Sequence, residues 1–153
     1  MQAAAPRLQV QPLAVWEREG LRAALVKAGL PADDVADPRV LCWRFETYND
    51  VPVGFGGLEI FGADALLRSL VTIPPLRRIG LGSAMVAALE AEAAARKCRA
   101  IYLLTASQAA FFSRLGYARC ERKKIPAAIR ASAQFVSRGP ADATAMVKRI
   151  LYP

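Results

Sequence analysis

The residues from Pro74 to Val86, PPLRRIGLGSAMV, place two arginines and two glycines directly ahead of an alanine-rich run. Glycine tolerates backbone angles closed to other residues and lets a ligand approach the main chain. The start of a helix leaves N–H groups without intrahelical partners and carries partial positive charge. Arginines beside such a turn point to an anion, a phosphate first of all. The plain alternative is a strand-to-helix turn carrying a solvated basic patch. Two familiar phosphate patterns do not fit. A Walker-type loop needs Lys-Ser or Lys-Thr at its end, but Gly82 is followed by Ser83 and Ala84. A dinucleotide fingerprint needs a third glycine where Met85 stands, and should open the first strand-turn-helix unit.

The residue types available limit the chemistry further. The chain has no histidine, which removes Ser-His and Cys-His catalysis and histidine metal sites. Cys42, Cys98 and Cys120 are odd in number and lie far apart, so they read as small core residues, not as metal ligands or disulfides. No metal site is expected. The 21 Lys and Arg outnumber the 13 Asp and Glu, giving a net charge of +8. That balance favours an acidic partner: nucleic acid, a phosphorylated cofactor or an anionic metabolite. Nucleic acid is the weakest of these, because the basic residues form no tail, zinc finger or aromatic-interleaved platform.

These residues need a scaffold, and 153 residues with 54% hydrophobic content are enough for one domain, 1–153, with a real core. No apolar run approaches the roughly 20 residues of a membrane helix. The start MQAAAPRLQVQP lacks the pattern of a signal peptide. A soluble cytoplasmic protein is expected. Leu13, Trp16, Leu21, Leu25 and Ala28 share one face of a helix over 13–29, stopped by Gly29. Strands follow at 40–48, 53–61 and 65–73, joined by NDVPVG and GAD as an antiparallel meander. A helix over 80–97, a buried strand AIYLLT, a helix SQAAFFSRL ended by Gly116, and strands at 117–121 and 144–151 complete the order. The pattern is α/β (α+β): a mixed, mostly antiparallel sheet flanked by helices.

The spacing Arg-x-x-Gly-x-Gly at Arg77–Gly82 resembles the pyrophosphate loop of the GNAT superfamily of acyl-CoA-dependent N-acetyltransferases. LLRSLVTIPPLRRIGLGSAMV (66–86) is similar to that family's fourth strand, proline turn and loop, and IYLLTASQAAFFSRLGY (101–117) to its fifth strand and following helix. The resemblance covers nearly the whole chain. It implies that amides from Arg78 through Ile79, Gly80, Leu81 and Gly82 to Ser83 cradle the pyrophosphate of coenzyme A, with Arg77 and Arg78 adding charge. It implies a strand splayed by a bulge, so that Leu70, Val71 and Thr72 meet the pantetheine arm. Ser107, Ala110, Phe111 and Arg114 would flank that arm and the adenosine end.

The same resemblance implies acetyl transfer from acetyl-CoA to an amine by direct attack. A carboxylate acting directly or through water would take the amine proton. Glu59 is the first choice for that base and Glu46 the reserve. The Leu70 N–H would hold the oxyanion. The family commonly protonates the departing thiolate with a tyrosine, but Phe112 stands in that place. The thiolate would then take its proton from water, with Ser107 as a local donor unless it serves, as its place before a helix favours, as the N-cap. The tail LLTASQAAFFSRLGYARCERKKIPAAIRASAQF resembles small bacterial amino-acid N-acetyltransferases, including the glutamate-acetylating and arsenic-resistance types. That implies an amino-acid-like acceptor, with Arg68 or Arg130 binding a carboxylate. Arg122, Lys123, Lys124 and Arg130 would form a cationic rim over the acceptor pocket, favouring anionic amines. The family resemblance also makes a homodimer an expectation. A degenerate acyl-CoA-binding or nucleic-acid-docking module, and a protein or peptide acetyltransferase, remain the other readings.

Overall fold

A computed structural model of the chain describes residues 7–73, 80–137 and 143–150. Its strands form one seven-stranded sheet in the order β1-β2-β3-β4-β5-β7-β6. The strands are β1 (Gln9–Leu13), β2 (Val40–Glu46), β3 (Pro52–Phe61), β4 (Asp64–Thr72), β5 (Ala100–Thr105), β6 (Ala118–Arg119) and β7 (Thr144–Arg149). The helices are α1 (Glu19–Lys27), α2 (Leu81–Ala95), α3 (Ala109–Arg114), α4 (Ala127–Arg130) and α5 (Ala133–Ser137). The meander β1 to β4 is antiparallel throughout, β4 and β5 are parallel, and β5, β7 and β6 are antiparallel again. The expected mixed α/β sheet flanked by helices is therefore present.

Alternation along the strands sends the core to both faces. On one face α2 covers Trp43, Phe45, Leu58, Leu67, Ile101 and Leu103. On the other, Leu21 and Leu25 of α1 meet Val40, Cys42, Phe55 and Val71. Leu66, of opposite phase to Ala65 and Leu67, joins Ile129 of α4 and Phe135 of α5.

Helix α2 lies close to the sheet because β3 is built with glycine where they meet. A methyl group on Gly54 would stand 2.5 Å from the Val71 carbonyl oxygen and 2.6 Å from the Met85 sulfur, and one on Gly56 2.8 Å from Leu89 Cδ1. Glycine in a strand interior gives up packing and entropy for such close approach.

Three expectations are corrected. Residues 13–29 are not one helix: Gln9–Leu13 is an edge strand, Val15–Glu17 a 3-10 turn, and only Glu19–Lys27 is α-helical. Trp16, expected on the apolar face, is 86% exposed on that turn. The joint is held by Arg18, whose buried guanidinium donates to the carbonyls of Leu13, Val35 and Asp37. The closing strand pair is shorter than expected, and α4 and α5 precede β7 where no element was foreseen.

Gly54→Ala should destabilise the fold by about 1–3 kcal/mol, because the new methyl meets the Val71 backbone carbonyl as well as the movable Met85 side chain, and the backbone cannot turn aside. Thermal denaturation should show a midpoint lower by several degrees, about 2–4 °C per kcal/mol at this size.

Candidate active site

The site begins with a defect in β4. Phe55 pairs with Val71 and Gly57 with Arg68, so two steps on β3 face three on β4. The extra residue is taken up at Ser69, whose φ of +57° lies in the left-handed region. The bulge reverses the alternation: Leu67 and Leu70 both pack against the α2 side, while Val71 faces α1. On its other edge β4 pairs with β5 only from Asp64 to Leu66, opposite Ala100 to Tyr102. Beyond Leu66 the two strands part.

A cavity of about 480 Å3 occupies the fork. Leu67 to Thr72 form one wall and Leu103 to Gln108 the other, with Leu25, Ala28, Leu30 and Pro31 along the α1 side. Gly82, Met85, Phe111 and Phe112 close it from α2 and α3. Its size suits an extended ligand arm. Polar groups around it include Ser69, Thr72, Thr105, Ser107, Gln108 and Gln134.

At its end α2 starts directly from Gly80, which has φ +73° and accepts the Ala84 N–H at 3.0 Å. Leu81, Gly82 and Ser83 are thus first-turn residues whose N–H groups need partners outside the helix. A methyl on Gly82 would come 3.3 Å from the Phe111 ring, so this glycine lets α2 and α3 approach. Arg77, Arg78 and Ile79 lie outside the described residues.

The fork therefore brings together Leu70, Val71, Thr72, Gly82, Ser107 and Phe111 from the expected cofactor set. Ala110 and Arg114 are exposed on α3 and are not among the lining residues. Ser107 lines the cavity but does not cap α3; Thr105 Oγ1 accepts the Gln108 N–H at 2.8 Å instead. Phe112 is buried, edge-to-face with both Phe111 and Tyr117. The Tyr117 hydroxyl donates to Glu90 at 2.9 Å, and burial first, then Glu90, raises its pKa. Cys42, Cys98 and Cys120 stay thiols, since burial pushes each pKa up.

Charge in the fork is concentrated on Arg68, whose side chain is 2% exposed. Nη1 donates to Glu59 Oε1 at 2.6 Å, and Nη2 donates to Asp34 Oδ1. Burial acts to lower the Arg68 pKa, but the two carboxylates outweigh it and hold it above its ordinary value. Glu59 thus sits beside Arg68, not among the residues that line the cavity. Glu46 is buried near the other end of β2, paired with Arg44 at 3.0 Å. The expected cationic rim is not built from its four members. Arg130 is exposed on α4, Lys123 and Lys124 pair with Glu121, and Arg122 donates to the Ala143 carbonyl. None of them lines the cavity. Asp34 was missed because nothing in the loop GLPADDVADP marks one aspartate for a residue 34 positions away.

A sheet split after one short parallel pairing, with the first turn of a helix at the split, defines a cleft with room for an extended ligand. The profile of the Acetyltransferase (GNAT) family matches residues 6–117, and the chain belongs to that family. It is an acetyltransferase of the acyl-CoA-dependent kind. Comparison with curated proteins gives no match. Among solved structures, N-acetylglutamate synthase from Neisseria gonorrhoeae, complexed with coenzyme A and N-acetyl-glutamate, is 15% identical with a TM-score of 0.76. The match covers 97% of this chain but 36% of that one, so the chain spans about a third of that protein's length. Rv2747 from Mycobacterium tuberculosis, in complex with CoA and NLQ, is 18% identical at a TM-score of 0.76, over 94% of this chain and 99% of that one. The ribosomal-protein-S18-alanine N-acetyltransferase from Escherichia coli is 19% identical at 0.70, over 96% of each chain.

Arg68→Ala should destabilise the protein by about 2–4 kcal/mol, since it leaves Glu59 and Asp34 facing each other without their shared cation. Urea denaturation should show the loss as a lower midpoint at unchanged slope.

Proposed function

We propose that this acetyltransferase transfers an acetyl group to the amine of a small, amino-acid-like acceptor by direct attack in a ternary complex. The observation that supports it best is the fork itself, open between β4 and β5 and met by the first turn of α2. Acetyl-CoA, when bound, supplies an activated thioester carbonyl. Leu70 to Thr72 would run beside its extended arm, and the Leu81, Gly82 and Ser83 amides would receive its pyrophosphate. The site fits such a group: Gly80 permits the left-handed turn, and Gly82 keeps the approach to Phe111 free of a side chain.

This chain's residues would divide the remaining work. The Leu70 N–H is the donor for negative charge developing on the attacked oxygen. Glu59 would take the amine proton through water, because its carboxylate sits beside Arg68 and not in the cavity wall. The N–C bond would form as the C–S bond breaks, and with Phe112 where a tyrosine acid would stand, this chain would leave protonation of the thiolate to water. A thiol pKa near 8.5 makes that step easy without a tyrosine. Ser107, which lines the cavity after the end of β5, would be the local hydroxyl donor.

Calorimetric titration with acetyl-CoA should give saturable heat; no heat and no thermal shift at millimolar ligand would overturn the assignment. The apolar wall of Leu25, Leu30 and Pro31 also suits the end of a peptide, as the S18-alanine enzyme's likeness suggests. A thiol-release panel of free amino acids against peptides separates the two acceptor readings. Glu59→Gln should lower turnover by about a hundredfold or more, in the range for a lost general base. Its acetyl-CoA affinity should change little, and equal turnover across the pH range would remove Glu59 from the mechanism.

A further inference from the structure

The guanidinium of Arg68 is the buried cation of the fork, and it already has two anions. One belongs to β3, the other to the loop after α1. Glu59 is held on a regular strand, with 14% of its side chain exposed. Asp34 projects from a loop, with 24% of its side chain exposed. The cavity that Arg68 lines is also lined, on its α1 side, by Leu30 and Pro31 from the start of that loop.

The loop does not need Asp34 to stay in place. Arg18 Nη1 donates to the Val35 carbonyl at 2.9 Å and the Asp37 carbonyl at 3.0 Å, and Arg22 Nη1 to the Ala32 carbonyl at 3.0 Å. Val35 is 1% exposed in the α1 core. The Asp34 carboxylate can therefore leave Arg68 for solvent without releasing the chain that carries it. From this arrangement we infer that Asp34 competes with anionic groups of the acceptor for Nη2 of Arg68, and so sets how much negative charge the acceptor is allowed.

The physics follows from counting charges. With both carboxylates in place the cluster Asp34–Arg68–Glu59 carries one net negative charge, although the whole chain carries +8. An ammonium approaching it is attracted, and a carboxylate is repelled unless Asp34 gives way. Without the Asp34 charge the cluster is neutral, and Nη2 can donate to a ligand oxygen in the cavity that Arg68 lines. The global charge does not decide the matter, because exposed charges beyond about 10 Å are screened at ordinary salt.

The inference rests on the small-acceptor reading above, and the experiment keeps the two apart. L-Glutamate and L-glutamine have nearly the same shape and differ by one charge. In Asp34→Asn the ratio of their kcat/KM values should rise about ten- to a hundredfold toward glutamate. Calorimetry with glutarate, which has no amine to acetylate, should show tighter binding to the variant by a similar factor. Asp37→Asn is the control. Asp37 lies in the same loop and is ionised, its pKa drawn down to about 2 by the Arg39 hydrogen bonds, but it pairs with Arg39 at 2.7 Å on the surface. It should leave both readouts unchanged.

An unchanged ratio in Asp34→Asn, or an equal rise in Asp37→Asn, overturns the competition while leaving the acetyltransferase reading intact. If no amine is turned over by any variant yet glutarate tightens on Asp34→Asn, the acceptor reading fails and the competition stands. Glutarate binding to neither protein overturns the competition. Should Asp34→Asn prove unfolded by its melting curve, Asp34→Ser removes the same charge with a smaller side chain.

Discussion

A parallel strand pair that separates partway along leaves backbone groups that the sheet no longer satisfies. Buried polar groups of the main chain do not stay unpaired, so the separation must be filled by something that hydrogen-bonds. In this protein β4 and β5 share only Asp64–Leu66 and Ala100–Tyr102. The cavity lies beyond that point. The bulge at Ser69 turns the wall of the opening, the glycines of β3 let α2 come down to its end, and α3 follows directly from the strand on its other side. The cleft is not carved into a finished core but left over from a sheet that stops pairing.

Electrostatics at the cleft runs against the sign of the molecule. A basic chain would be expected to offer open guanidinium groups to an anionic acceptor. Instead the most buried arginine among the described residues is paired with two carboxylates from different elements. Burying a charge is costly unless it is paired, and Arg68 has been paired internally. The excess positive charge is spread over exposed side chains, where it acts on the encounter with anions more than on the chemistry.

Legibility from the amino-acid sequence followed the range of the interactions. The strand Ala100–Thr105 was legible residue for residue, because a short apolar run bounded by polar residues has few other uses. Gly80 as the start of α2 and Gly116 as the stop of α3 are likewise local, whereas the bulge before the loop was expected from the family resemblance and not from any local pattern. The N-terminal segment was misread because Leu13 and Trp16 fit a helical face as well as a strand end and a turn. Only the pairing of Gln9–Leu13 with Cys42–Glu46 decides between them. The ion cluster was hidden for the same reason in stronger form. Glu59 and Arg68 were both singled out, but their contact, and the arrival of Asp34, are tertiary events with no spacing to announce them. Four basic residues near IPAAI looked like a rim because a linear count cannot show that Glu121 and the Ala143 carbonyl occupy three of them.

The two half-sheets that meet at β4 and β5 are joined very unequally on their two sides. Below, the α2 cluster runs unbroken from Trp43 and Phe45 through Ile101 and Leu103 to Met146. Above, the α1 cluster stops at β4, and the smaller cluster of Leu66, Leu104, Ile129 and Phe135 is what crosses from β4 to β5. Along the line of the fork, past Leu66, the halves are joined by side-chain packing and not by strand pairing. A molecule lying in the fork spans that line and acts as a splint, so that holding the ligand and stiffening the protein become the same event.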